Sequence, residues 1–134
     1  MSSDWPWQVS RYYTADGLPN GTSVAQTPGK NYLGEWMEVA LPDFIIPTRW
    51  TVYSRSTEPY YPCSWVLIGY EGTYDNIGYL LGQSAVTQSV DMTISGTTPY
   101  IKFRIVLTRI PTFTYDNVPY CNQGTGGCIY GTKP

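Results

Sequence analysis

The segment YIKFRIVLTRI, residues 100–110, alternates apolar and polar side chains and is the strongest β-strand signal in the chain. On one face lie Ile101, Phe103, Ile105 and Leu107. On the other face lie Lys102, Arg104, Val106 and Thr108. A spacing of two recurs through the sequence, with turn residues about every 8 to 12 positions, which is typical of a sandwich or barrel. We therefore predict an all-β protein.

Further strands are predicted along the chain. They are expected in residues 7–14, 34–42, 43–56, 63–72 and 89–95, and residues 74–85 are expected to end in a short strand or a turn. Pro47 interrupts one of them, which indicates a bulge or an edge position. The segment CSWVLIGYEG, residues 63–72, is predicted to be covered on both faces. Residues 15–33 are rich in turn residues and are predicted to form a long loop with at most a short strand.

The length of 134 residues suits one domain with a single core. We predict one β-sandwich over residues 1–134, with an N-terminal arm at 1–10 and a Gly-rich C-terminal tail at 111–134. Trp36, Trp65 and Phe103 are assigned to the core.

The composition excludes several classes of partner. Charged residues make up only 13% of the chain, the net charge is −2, and the basic residues are scattered, so we expect no nucleic-acid binding. The sequence has no apolar run long enough for a membrane-spanning helix. The N-terminus, MSSDWPWQVS, lacks a basic region followed by an apolar run, so no signal peptide is predicted.

An enzymatic role is not expected. The chain has no histidine, which removes the commonest general base. Glu35 and Glu38 flank Trp36, but they are three residues apart and so point to opposite faces of a strand. They cannot act together as a glycosidase pair. We expect one to face solvent and the other to reach a basic neighbour such as Arg49 or Arg104.

Three segments resemble, in order, those of the discoidin-like family, the coagulation factor 5/8 type C or galactose-binding-like domains. They are GEWMEVALP, YPCSWVLIGYEGTYDNIGYL and YIKFRIVL. The sequence departs from the family in having GYEGTYDN where a Ser-Asn-Asp-Gly turn is common, and its cysteines are not placed to clamp the termini. This variant is similar to forms found in particle proteins of large DNA viruses and phages. The resemblance implies a β-sandwich with jelly-roll topology that binds glycans, lipid head groups or proteins.

Two features of the sequence remain open. Cys121 and Cys128 flank a flexible loop and either form a disulfide or, with Cys63, stay reduced. Related modules often hold a structural calcium ion in an early loop, where Asp16 and Asn20 would be ligands here. The alternative is a plain pair of turns, and no other cofactor is expected.

The leading functional hypothesis is a non-catalytic structural or surface component of a virus particle or other large assembly. Its partners would be neighbouring copies or other proteins, and it would be located on a virion or extracellular surface. The arm and the segment after it would form the interface through Trp5, Trp7, Tyr12 and Tyr13, because interfaces favour aromatic residues. The alternative is that both chain ends fold back on their own domain as antiparallel strands.

A second hypothesis is a lectin-like module that binds glycans. Two segments, EPYYP and GYEGTYDN, each place two tyrosines beside an acidic residue. Aromatic faces can stack on the C–H groups of a sugar ring, which makes these segments candidate sugar platforms. The predicted ligand-binding residues are Tyr60, Tyr61, Tyr70 and Tyr74. The alternative is that these tyrosines pack loops onto the sandwich or lie in a protein interface.

Overall fold

A computed structural model of the chain describes the backbone of residues 2–8, 18, 23–53, 64–84, 89–109, 114–115, 118–119 and 122–134. The regular structure of these residues is β-strand. The strands are β1 Ser2–Gln8, β2 Ala25–Thr27, β3 Lys30–Tyr32, β4 Glu35–Tyr53, β5 Ser64–Tyr70, β6 Tyr79–Gln83, β7 Ser89–Thr93, β8 Tyr100–Arg109, β9 Thr114–Tyr115, β10 Val118–Pro119 and β11 Asn122–Thr132.

The long strand β4 belongs to two sheets. Its second half pairs with β11 and β7, and with β1 beyond β11 these strands form the first sheet. Its first half pairs with β8, which continues to β5 and β6 as the second sheet. The register shift between Ala40 and Ile45 separates the two halves. The predicted irregularity at Pro47 is confirmed, because the β4–β11 register shifts beside it, between Tyr130 and Gly131.

The core lies between the two sheets. The first sheet contributes Trp50, Val52, Val90 and Ile129. The second sheet contributes Trp65, Leu67, Phe103, Ile105 and Leu107. The predicted core placement of Trp65 and Phe103 is confirmed, and so is the alternation of β8 from Phe103 to Leu107, but Tyr100 and not Ile101 belongs to the core. Because both sheets supply one apolar face to a common core, the molecule is a β-sandwich.

The placement of Trp36 in the core is wrong. Its side chain is 41% exposed. In β4 the alternate residues Met37 and Val39 pack against the core, so Trp36 and Glu38 point to the opposite, outer face of the second sheet. Trp36 and Met37 are adjacent in the strand, so their side chains cannot both face the core. The residue that faces the core is Met37.

The outer face of the second sheet carries a smaller apolar cluster under the hairpin formed by β2 and β3. Val66, Ile68 and Tyr70 of β5 are buried there, although Trp65 and Leu67 of the same strand face the main core. The prediction that this segment is covered on both faces is confirmed. Ala25 and Tyr32 supply the hairpin's side of the cluster.

The β2–β3 hairpin stands where a long loop was predicted. Its turn is Thr27-Pro28-Gly29-Lys30, and Gly29 has a φ of 83°. A type II turn prefers proline and then glycine at its two central positions, because the second requires a positive φ. The Pro28-Gly29 pair is therefore the signal for this turn in the sequence. The two strands that the turn joins are only three residues long each.

The chain ends pair with each other within the domain. The backbone of β1 runs antiparallel to β11, with Trp5 opposite Thr125 and Trp7 opposite Gln123. In turn, β11 pairs with β4. Residues 2–8 are therefore a strand of the first sheet and not a separate arm, which agrees with the alternative in which the ends fold back. Cys128 of β11 carries a free thiol, and Cys121 lies outside the described residues.

Candidate functional site

The outer face of the second sheet arranges its side chains in cross-strand rows. One row contains Trp36, Val106, Val66 and Gln83. The next contains Glu38, Arg104, Ile68 and Leu80. The third contains Ala40, Lys102 and Tyr70. The apolar residues of this face therefore lie beside a group of charged and aromatic side chains. We call this group the polar cluster and define it as Trp36, Glu38, Tyr70, Lys102 and Arg104.

Arg104 is the centre of this polar cluster. Its Nη2 and Nε donate to Oε1 of Glu38 at 2.6 and 3.1 Å. Its Nη1 donates to the backbone carbonyl of Val24, beside the hairpin. The guanidinium carbon lies 4.2 Å from the centre of the Trp36 ring, a cation–π contact. The predicted ion pair between a glutamate and Arg104 is confirmed. Through this pair and its hydrogen bond to Val24, Arg104 links β4, β8 and the segment that precedes β2.

Lys102 is a buried cation in the same cluster. Its Nζ lies 3.7 Å from Oε1 of Glu38 and 4.3 Å from the centre of the Tyr70 ring. It also donates to the backbone carbonyl of Asp75 at 3.3 Å. A buried ammonium group is stable only with such partners. Lys102 therefore holds the segment 71–78 against the end of the sheet.

Tyr70 lies beneath that segment and is not a surface residue. It is the last residue of β5 and only 1% exposed, so its predicted placement as a loop tyrosine open to a ligand is wrong. The glycine at 78 packs closely over it, since a Cβ there would lie 2.9 Å from Tyr70 Cε1. The Tyr70 hydroxyl has no hydrogen-bond partner among the described residues.

We expect Tyr70→Phe to leave stability at neutral pH unchanged or to raise it by up to about 1 kcal/mol, because a buried unpaired hydroxyl costs free energy. Burial raises the pKa of the Tyr70 phenol, Arg104 lowers it and Glu38 raises it, with a net upward shift. The folded chain thus retains a proton that the unfolded chain releases above pH about 10. The wild type should therefore lose stability as pH rises through that range, and Tyr70→Phe should lose less. Urea unfolding at neutral and alkaline pH measures both effects, and an equal alkaline loss in the two proteins would contradict the assignment.

A cleft of about 530 Å³ lies between the β2–β3 hairpin and the near ends of β5, β6 and β8. Its apolar lining includes Tyr32, Leu33 and Val66. Its neutral polar lining includes Asn31, Ser64, Gln83 and Thr108. Lys30 and Arg109 are the charged residues among the described lining. This volume and the mixture of apolar walls with a few polar groups are typical of a small-ligand site.

None of the sequence-predicted site residues is among the described residues that line this cleft. Tyr74 is 93% exposed in the segment between β5 and β6. Trp5 and Trp7 belong to β1, and no side-chain placement is described for them. The residues that lie outside the described part of the chain are Tyr12, Tyr13, Asp16, Asn20, Tyr60 and Tyr61. The binding, interface and calcium roles of these residues stay predictions.

The described part of the chain offers no alternative metal centre, because it contains no group of three or more potential His, Cys, Asp or Glu ligands. Within the same residues, no helix is long and apolar enough to cross a membrane. Glu35 and Glu38 lie on opposite faces of β4, as the alternation requires. Glu38 is committed to Arg104, whereas Arg49 pairs with Asp91 at 2.7 Å.

The residues that line the cleft were not predicted from the sequence. Lys30, Asn31 and Tyr32 enter it only because Pro28 and Gly29 turn the chain into a hairpin. The turn type was readable from the sequence, but the docking of the hairpin on the sheet was not. Thr108 and Arg109 lie at the end of β8, where the register with β5 shifts between Ser64 and Trp65. Local alternation carries no information on that shift.

Comparison with solved structures shows a similar fold over almost the whole chain. Chitosan-binding module 1, derived from a chitosanase/glucanase of Paenibacillus sp. IK-5, has a TM-score of 0.52 at 14% sequence identity, covering 96% of this chain and 95% of that chain. GH31 CBM32-2, in a structure bound to GalNAc, has a TM-score of 0.48 at 12% identity, covering 98% of this chain and 97% of that chain. No protein-family model and no curated protein matches the chain. The chain thus shares the fold of the Paenibacillus module, and the predicted all-β sandwich is confirmed.

Proposed function

We propose that this chain is a non-catalytic module that binds carbohydrate in the cleft beside the β2–β3 hairpin. The observation that carries the proposal is the cleft itself, which combines apolar walls with the polar side chains of Gln83, Thr108 and Ser64. A sugar ring has apolar C–H faces and a rim of hydroxyl groups. Amide and hydroxyl side chains can both donate to and accept from those hydroxyl groups.

The fold similarity supports a binding role. The chain is similar in fold to a module that is named for chitosan binding, and the similarity extends over 96% of the chain. Fold alone does not fix function, so the proposal depends on the chemistry of the cleft. That chemistry gives no support to hydrolysis, because no carboxylate is among the described lining residues and the chain has no histidine.

The proposal replaces the virus-particle role as the leading hypothesis. The assembly argument depended on an N-terminal aromatic arm free to dock on a neighbour. The backbone of Ser2–Gln8 instead pairs with β11 of the same chain. A place in a virion or on an extracellular surface, and contacts with other proteins of an assembly, stay predictions.

Binding to an oligosaccharide array followed by titration calorimetry tests the proposal. We expect saturable binding of at least one glycan class by the wild type. Gln83→Ala and Thr108→Val should each weaken it by roughly fivefold to tenfold, the usual worth of one neutral hydrogen bond. The matched control is Thr93→Val, which changes an exposed threonine of β7 in the first sheet and should leave affinity unchanged.

Tyr74→Ala separates the cleft from the loop platform predicted from the sequence. Because Tyr74 is almost fully exposed, its replacement should not alter the midpoint of thermal unfolding. If Tyr74→Ala abolishes binding and the cleft variants do not, the site lies in the 71–78 segment and the cleft proposal is wrong. If no glycan binds the folded wild type, the carbohydrate-binding function itself is wrong.

A further inference from the structure

The described cations differ in whether an ion pair neutralises them. Arg49, Lys102 and Arg104 each form an ion pair with a carboxylate. Lys30 and Arg109 form none with the described carboxylates, and both line the cleft. Lys30 has a cation–π contact with Tyr32, at 5.1 Å from the ring centre, which leaves its positive charge in place.

The described lining of the cleft therefore carries a net positive charge, although the chain as a whole is acidic. The net charge of the sequence is −2, yet no Asp or Glu is among the described residues that line the cleft. Lys30 begins β3 on the hairpin side. Arg109 ends β8 on the sheet side, opposite Ser64 of β5. The two cations thus come from the two structural elements between which the cleft is formed.

We infer that the cleft takes an anionic saccharide, one that carries a carboxylate or a sulfate group on the ring it presents. This inference rests on the proposed carbohydrate-binding function and specifies its ligand class. The planar guanidinium of Arg109 suits two parallel hydrogen bonds to such a group, and the Lys30 ammonium adds a point charge. The attraction is stronger in a cleft that partly excludes water than at an open surface.

The same charges argue against a cationic glycan. Chitosan is a polymer of amino sugars and is positively charged at mildly acidic pH. Lys30 and Arg109 would repel it, and no lining carboxylate among the described residues would compensate. We therefore expect a ligand different from the chitosan for which the Paenibacillus module is named.

The test uses ligand pairs that differ only in charge. One pair is an oligogalacturonate and its methyl ester, and a second is a sulfated galactan oligosaccharide and its desulfated form. A chitosan oligomer and a chitin oligomer of equal length complete the series. We expect at least one anionic member to bind about tenfold more tightly than its neutral partner, the usual worth of a hydrogen bond to a charged group. The difference should shrink with added salt.

Substitutions of the two cleft cations test whether the preference for the anionic ligand arises in the cleft. Lys30→Gln and Arg109→Gln should each remove most of the preference for the anionic ligand and leave the binding of its neutral partner unchanged. Arg109→Lys should restore part of the preference because it keeps the charge. The matched control is Lys133→Gln, the same change at an exposed residue near the C-terminus outside the cleft lining. Circular dichroism and thermal unfolding verify that each variant is folded.

The outcomes separate this inference from the proposed function. If the acids and their neutral partners bind equally, or if chitosan binds best, the inference is wrong and carbohydrate binding still stands. If Lys133→Gln reduces the preference as much as Lys30→Gln does, the effect comes from net charge and the cleft assignment is wrong. If no member of the series or of the array binds the folded protein, the proposed function is wrong and the inference with it.

Discussion

Trp65→Ala should lower the free energy of unfolding by about 3–5 kcal/mol, the usual cost of replacing a buried aromatic side chain by alanine. Trp65 is 0% exposed and packs among Leu67, Phe103 and Leu107 between the two sheets. Its removal leaves a cavity that a close-packed core fills only in part. A domain of this size has a total stability of about 5–15 kcal/mol, so the expected loss is between about a fifth of that stability and all of it. Urea unfolding followed by fluorescence and circular dichroism measures the change.

Trp36→Ala is the matched control for Trp65→Ala. Both variants delete an indole from the second sheet, but Trp36 is 41% exposed and lies on the outer face. Its loss removes the stacking on Arg104, a contact worth about 0.5–2 kcal/mol, together with some partly buried surface. We expect a loss well below that of Trp65→Ala. If the two variants lose equal amounts of unfolding free energy, the indole of Trp36 is buried in solution. That result would contradict the exposed position of Trp36 on the outer face.

The contrast between these tryptophans shows how far the sequence determines the fold. In β8 the core residues Phe103, Ile105 and Leu107 recur at every second position, and the charged residues Lys102 and Arg104 mark the opposite face, so the period of two places them in the core. In β4 Trp36 and Met37 are adjacent and both apolar, so the alternation around them is ambiguous. The register with β8 resolves it, because Met37 lies opposite Ile105 on the core face. That register is a long-range property, and no local pattern contains it.

The candidate site was harder to derive than the fold for the same reason. The sequence predicted that Glu35 or Glu38 pairs with a basic residue such as Arg49 or Arg104, and the pair in the structure is Glu38 with Arg104. The cleft depends instead on the docking of a hairpin of three-residue strands and on the ends of β5, β6 and β8. Tyrosine content suggested a sugar platform in the loops, yet Tyr70 is covered by the backbone at Gly78. Composition therefore led to the hypothesis of a glycan ligand, but it did not predict the cleft.

Glu38→Gln should lower the free energy of unfolding by about 2 kcal/mol or more, although Glu38 itself is 31% exposed at its side chain. Its carboxylate is the counter-charge for two cations, Arg104 at 2.6 Å and Lys102 at 3.7 Å, whose side chains are 19% and 8% exposed. An amide of the same shape keeps one acceptor but removes the charge. Arg104 retains the Val24 carbonyl and the Trp36 ring, which limits the loss, while Lys102 retains the Asp75 carbonyl. Urea unfolding at neutral pH measures the change.

The matched control for Glu38→Gln is Asp91→Asn, which neutralises the carboxylate of the other arginine pair. Asp91 accepts two hydrogen bonds from Arg49, at 2.7 and 3.0 Å, but its side chain is 63% exposed and water replaces the lost partner. The loss there should be much smaller and should shrink further with salt. If the two variants lose the same small amount, the outer-face cations are solvated and need no counter-charge. A double variant, Glu38→Gln with Arg104→Met, should recover part of the Glu38→Gln loss, because removing an unpaired cation relieves the cost of leaving it partly buried.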